Sequence, residues 1–149
     1  MSSEGAADDQ MRLMALDVGD RRIGVALSDP GRVLARSLRV IRRRSLKADM
    51  EVMRSLVEEH AVEKIVVGHP LRLDGSAGKQ ARRAEGYAAE LERAVGVPVV
   101  LWDEAFSTDR ARQVMIEAGK RRKEREERLD AVAAAVILQD YLDSLGRDQ

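Results

Sequence analysis

The stretch Leu13-Met14-Ala15-Leu16-Asp17-Val18-Gly19-Asp20-Arg21-Arg22-Ile23-Gly24-Val25-Ala26-Leu27-Ser28-Asp29 decides how the rest of the chain is read. Leu13 to Leu16 is a continuous apolar run, as expected of a strand buried on both faces. Gly19-Asp20 signals a turn, and Ile23, Val25 and Leu27 alternate with Gly24, Ala26 and Ser28 as a second strand paired back on the first. Asp17 stands where the first strand ends, so a carboxylate is fixed at the tip of a central strand. A buried charge is costly unless it is paired, hydrogen-bonded or bound to a cation. Two readings of Asp17 stand at this point: a cap for the turn's backbone N–H groups, or a functional carboxylate.

Outward from this hairpin, Pro30-Gly31 is another turn, and Val33 to Ile41 continues a meander as a third strand. Its mixed polarity and arginines suit a sheet edge. Ser45 is a plausible N-cap for a helix in which Leu46, Met50, Met53, Leu56 and Val57 follow helical spacing. Ile65 to Gly68 is a short buried strand, followed by a loop from His69 to Gly78. A helix runs from about Lys79 to Ala94, stopped by Gly96, and Pro98 to Trp102 forms the next strand, ending at Asp103-Glu104. Ser107 or Thr108 caps a short helix through Ala118, closed by Gly119. Lys120 to Arg128 is dense in charge, and a last helix spans about Leu129 to Leu145. Three meandering strands followed by alternating helices and strands predict an α/β fold. Its mixed sheet has the first, fourth and fifth strands parallel, with helices on the faces. The expected organisation is one domain over 11–145, a disordered tail at 1–10 and a short tail at 146–149.

A length of 149 residues suffices for one domain with a real core. The 26 basic residues balance 26 acidic ones, so any affinity for nucleic acid must come from local patches and not from a global field. With no cysteine there are no disulfides, thiolate nucleophiles or cysteine-based zinc sites, and a reducing, cytoplasmic location is expected. The longest apolar run, Ala131 to Leu138, falls far short of the roughly 20 residues of a membrane span. Met1 to Gln10 lacks the apolar core of a secretory signal. Aromatics at 3% argue against reading splayed bases by stacking.

In open α/β sheets, function collects at the carboxyl ends of the parallel strands. Asp17, His69 and Glu104 lie just past such ends, and Asp130 begins the last helix. If Asp130 sits on the same rim, three carboxylates converge, and cations must sit between them to offset their repulsion. Oxygen-only ligation suits Mg²⁺ or Mn²⁺. Two such ions about 3.5–4 Å apart can activate a water and stabilise the leaving oxygen of a phosphodiester. The competing reading makes Asp17, Glu104 and Asp130 ordinary strand-end and helix-cap acids.

Four segments, in order, resemble the YqgF/RuvX family, a branch of the ribonuclease H-like nucleases that includes the RuvC-type Holliday-junction resolvases. They run from Ala15 to Asp29, from Ile65 to Gly75, from Trp102 to Thr108 and from Leu129 to Leu138. The resemblance implies a ribonuclease H-like fold with a five-stranded mixed sheet ordered 3-2-1-4-5, strand 2 antiparallel. It also implies a divalent-metal site, for which two Mg²⁺ or Mn²⁺ ions are expected, and it carries the catalytic and metal-binding acids onto Asp17, Glu104 and Asp130. Two departures stand out. Ala105 replaces the arginine that usually follows the Asp-Glu pair. His69 and Arg72 replace the leucine and asparagine of the usual Gly-Leu-Pro-Leu-Asn loop.

Lys120, Arg121, Arg122, Lys123 and Arg125 precede Asp130 and, with Arg72, are the expected nucleic-acid contacts. Arg42 to Arg44 form a second basic run, for which a solvated face is an equal reading, and Lys79, Arg82 and Arg83 a third. His69 is a general acid, a phosphate contact or a structural histidine, whereas Trp102 reads as packing. The implied substrates are a Holliday junction, which requires two cuts and hence a homodimer, or the 5′ region of precursor 16S rRNA. Two other functions compete: a phosphate loop like that of actin-like ATPases, and a non-catalytic nucleic-acid-binding or ribosome-associated module. No membrane partner is expected.

Overall fold

In a computed structural model, residues 11–72, 74–103 and 126–147 are described, with the side chains of 126–130 and 146–147 excluded. Five strands form one sheet in the order β3-β2-β1-β4-β5: β1 (Arg12–Val18), β2 (Arg22–Ser28), β3 (Ala35–Arg42), β4 (Val62–His69) and β5 (Val99–Asp103). The pairs β1–β2 and β2–β3 are antiparallel, and β1–β4 and β4–β5 are parallel. This is the sheet that the resemblance implied. Three helices are described: α1 (Leu46–Glu59), α2 (Lys79–Val95) and α3 (Glu126–Arg147). None is long and apolar enough to cross a membrane.

Side chains alternate across β1 and split the core in two. Met14 and Leu16 join Ile23, Val25, Met53, Leu56, Ile65, Val67 and Leu91 under α1 and α2. Leu13 and Ala15 face the other way and pack with Val66, Ala134, Ile137 and Leu138 under α3. Burying apolar strands on both faces is the main stabilising contribution here, about 25 cal/mol per Å² removed from water. The backbone at the entry of β1 is satisfied by Ser28, whose buried hydroxyl accepts from the Leu13 N–H at 2.9 Å.

Local signals place several boundaries. Ser45 caps α1, its hydroxyl accepting from the Ala48 N–H at 3.1 Å. Gly96 ends α2 with a left-handed φ of 73°, a conformation that costs a side-chain-bearing residue more. Other boundaries differ from the sequence expectation. β3 begins at Ala35, not Val33, because Asp29 Oδ1 accepts from the Val33 and Leu34 N–H groups and holds them in a turn. β4 begins at Val62 instead of Ile65, since parallel pairing with β1 overrides the polarity of Glu63 and Lys64. α3 begins at Glu126 and continues to Arg147. Glu126, Glu127 and Arg128 favour helix but carry no apolar periodicity to mark it. The expected tail at 1–10 and the short helix from Ser107 or Thr108 lie outside the described residues.

Candidate active site

Asp17 is the sixth residue of β1 and half-buried. Because Leu13 and Ala15 lie in the core under α3, alternation puts Asp17 on that same face. Its cross-strand partner on β2 is Gly24. On β4, Gly68 follows the Val67 that pairs with Leu16. The positions directly opposite Asp17 on both neighbouring strands are therefore glycines. These glycines were the signal that sequence reading passed over: Gly24 read as part of a generic alternation and Gly68 as the end of a strand.

The turn after Asp17 is tightly fixed. The Gly19 N–H donates to the Arg22 carbonyl at 2.9 Å, and an added Cβ on Gly19 would lie 2.9 Å from that same oxygen. Arg43, just past β3, holds the turn from outside. Its N–H donates to the Arg21 carbonyl at 2.8 Å, and its Nη1 donates to the Gly19 carbonyl at 3.0 Å. The Arg43 guanidinium stands 5.3 Å from the centre of the Tyr87 ring, and its Nε lies 3.9 Å from Oδ2 of the buried Asp49. Burial, with the Asp49 charge second, pushes the Tyr87 phenol well above its ordinary value. Asp20 in the turn pairs with Arg83 of α2 at 2.7 Å.

α3 runs down the sheet away from this rim. The Ser37 hydroxyl donates to the Ala131 carbonyl at 3.1 Å, and further along the helix Gln139 Oε1 accepts from the Ala35 N–H at 3.0 Å. Ser37 pairs with Ala26 and Ala35 with Ser28, so Ser37 is nearer the Asp17 end of the sheet. The start of α3, which carries Asp130, is thus its rimward end. Beyond it, Trp102 packs edge-on against Tyr141, ring centres 5.1 Å apart, and its Nε1 donates to the buried Asp140 at 3.0 Å. Trp102 is packing, as the sequence predicted.

His69 ends β4 on the opposite side. Ile65 and Val67 face α1 and α2, and His69 continues that row. Its Nε2 donates to Glu85 Oε2 on α2 at 2.7 Å. Of the three roles open in the sequence, the geometry fits the structural one. Asp103 is exposed and, one residue past Trp102, faces away from α3. Arg72 is exposed in the loop after β4, its guanidinium lying over Gly78 at the start of α2. Of the expected site residues, Glu104, Lys120, Arg121, Arg122, Lys123 and Arg125 lie outside the described residues, as does the Asp130 side chain. Among the described residues no group of three or more acids or histidines forms a cation site.

A family model described as "RuvX: Holliday junction resolvase" matches residues 11–144. A protein of Moorella thermoacetica named "Putative pre-16S rRNA nuclease" is 46% identical over 138 residues, covering 93% of this chain and 99% of its own. A protein of the same name from Syntrophomonas wolfei is 44% identical over 140 residues, with 93% and 99% covered. Among solved structures, T. thermophilus RuvC in complex with Holliday junction substrate aligns with a TM-score of 0.58 at 14% identity, over 91% of this chain and 96% of that one. The fowlpox virus resolvase with its Holliday junction DNA aligns at 0.55 and 10% identity, covering 91% and 99%. At such identities the likeness is one of fold alone, that of a resolvase-like sheet. The match over most of the chain establishes that it belongs to the RuvX family.

Proposed function

We propose that this chain is a metal-dependent nuclease that hydrolyses phosphodiester bonds in structured nucleic acid, with Asp17, Glu104 and Asp130 as its catalytic acids. The observation that carries the reading is the setting of Asp17. A half-buried carboxylate stands at the carboxyl rim of the central strand, flanked by glycines and on the face toward which α3 starts. A carboxylate in that position is a poor core residue and a good cation ligand. An all-oxygen donor set fits Mg²⁺ or Mn²⁺, and two ions are the expected complement. When bound, such ions lower the pKa of a coordinated water and offset charge on the reacting phosphate. The chain's own contribution is positional. Asp17 is held by the strand and by the turn that Gly19 and Arg43 fix. Lys120, Arg121, Arg122, Lys123, Arg125 and Arg72 draw the phosphate backbone to the acids.

The names of the relatives favour precursor 16S rRNA as substrate, of which the family resemblance implies the 5′ region, and the structural neighbours were solved with four-way junctions. Both are structured nucleic acids read mainly by shape and backbone. The test is cleavage of a labelled four-way junction, its matching duplex and a structured precursor 16S RNA, with Mg²⁺, Mn²⁺ or chelator. Cleavage of one substrate, lost with chelator and reduced at least about 100-fold in Asp17→Asn with binding retained, is the expected result. An Asp17→Asn variant that cuts normally overturns the assignment. Salt-sensitive binding without cutting in any condition points instead to a binding module. Junction cutting calls for a homodimer and RNA trimming does not, so sedimentation of the active species accompanies the assay.

A further inference from the structure

A second concentration of charge lies on the rim beside Asp17. The β1–β2 turn and the link from β3 to α1 surround an open cavity of about 450 Å³ lined by Asp20, Arg21, Arg42, Arg43 and Arg44. Among the described residues the one acid in this lining, Asp20, is already engaged by Arg83. Arg43 is engaged as well, by the Gly19 carbonyl and Asp49 and over the Tyr87 ring. Arg21 and Arg44 differ. Both are exposed, and among the described residues no hydrogen bond or ion pair holds either guanidinium. Their backbones, in contrast, are fixed: the Arg21 carbonyl accepts from Arg43, and the Arg44 N–H donates to Asp49 Oδ1 at 3.1 Å. The cavity thus presents two free guanidiniums on a rigid frame.

The basic surface continues from this cavity onto the sheet, where Arg22 and Arg42 are direct cross-strand partners. Ile23 and Ile41 pair in the core under α1 and α2, so Arg22 and Arg42 fall on the Asp17 face, while Arg43 turns to Tyr87 on the other. The basic surface therefore crosses the rim of the sheet, from the Asp17 face over the β1–β2 turn. At the cavity, the exposed guanidiniums of Arg21 and Arg44 are open to an anion, and the planar fork of arginine matches a phosphate. A row of such anions that reaches Asp17 on one side and this cavity on the other describes a sugar–phosphate backbone.

We propose that this cavity is a backbone-binding site for the nucleic-acid strand as it leaves the Asp17 face. Arg21 and Arg44 contact its phosphates, and Arg43 holds the turn that presents them. The proposal rests on the nucleic-acid reading above and adds a contact surface outside the acids and outside the basic segment before Asp130. Contacts of this kind add affinity and register without base preference.

The test is binding of a four-way DNA junction and of structured precursor 16S RNA from about 50 to 200 mM salt. It compares Asp17→Asn, which prevents cutting, with the same chain carrying Arg21→Ala and Arg44→Ala. Loss of two phosphate contacts is expected to flatten the slope of log K against log salt by about 1 to 2. It is also expected to weaken binding about 10-fold or more at the lower salt. Arg21→Lys with Arg44→Lys should restore most of the slope, because an ammonium still replaces counterions. Arg93→Ala, at an exposed arginine far along α2, should leave it unchanged. An unchanged slope in the double alanine variant overturns the proposal. So does an equal loss in Arg93→Ala, which would mark a general charge effect. If the chain binds neither nucleic acid, this proposal and the nuclease reading fail together. If it binds with an arginine-dependent slope but the chain with its native Asp17 never cuts either substrate, the nuclease reading alone fails. A thermal melt of each variant separates lost contacts from lost fold.

Discussion

At Gly19 one missing methyl group makes room for the backbone of the turn. Any side chain there would push against the Arg22 carbonyl that closes the turn two residues after Asp17. Gly19→Ala should cost about 1 kcal/mol or more of stability, because backbone and not a flexible side chain must yield. Cleavage should fall with it as the turn shifts under the carboxylate. Chemical denaturation and the cleavage assay check both effects, and a variant of native stability would mean that the turn adapts. His69 makes the opposite forecast. Its tie to Glu85 turns it away from the face that carries Asp17. His69→Leu, which also restores the residue usual in the family, should keep cleavage within a few-fold of the native chain. A loss of about 100-fold would return His69 to the chemistry.

At the scale of an element, the link between β2 and β3 shows how a loop carboxylate sets a strand boundary. Asp29 Oδ1 accepts from Val33 N–H at 2.8 Å and Leu34 N–H at 3.0 Å. These two bonds, Leu34's first, hold the carboxyl below its ordinary value. A carboxyl with a folded pKa below its unfolded one stabilises above the unfolded value of about 4 and loses that contribution as pH falls through the folded value. Asp29→Ala should therefore cost about 1 kcal/mol at pH 7. The gap to the native chain should narrow steadily below about pH 4. Urea denaturation across that range checks it, and a pH-independent gap would place the effect in packing instead of the carboxylate.

Across the whole molecule, the described residues divide into two cores that share the central strand, with α1 and α2 over one and α3 over the other. The face that carries Asp17 is covered by α3 among the described helices, so the hold of that helix is also the hold on its start, which carries Asp130. Ile137 is fully buried at the centre of this contact. Ile137→Ala should cost about 2–5 kcal/mol. It should also lower cleavage by more than it lowers affinity for nucleic acid at temperatures where the fold persists. Equal losses in both would mean that α3 supports binding alone.

The sequence by itself determined the hairpin from Leu13 to Ser28, the helices capped by Ser45 and stopped by Gly96, and the presence of Asp17 at a central strand's tip. Each is written in local periodicity or in a single residue's backbone preference, which act over a few neighbours. Family motifs added the strand order, and the sheet agrees with it. Local patterns could not mark the polar start of α3 or of β4, because long-range pairing and helix propensity, not hydrophobic period, set those ends. Tertiary structure alone decided which face each rim residue takes. It turned His69 toward Glu85, set Gly24 beside Asp17, and bound Arg43 to the β1–β2 turn while leaving Arg21 and Arg44 open at its edge. The reason is physical: strand register reverses the face of every side chain with a shift of one residue, and register is fixed by packing between segments far apart in the chain.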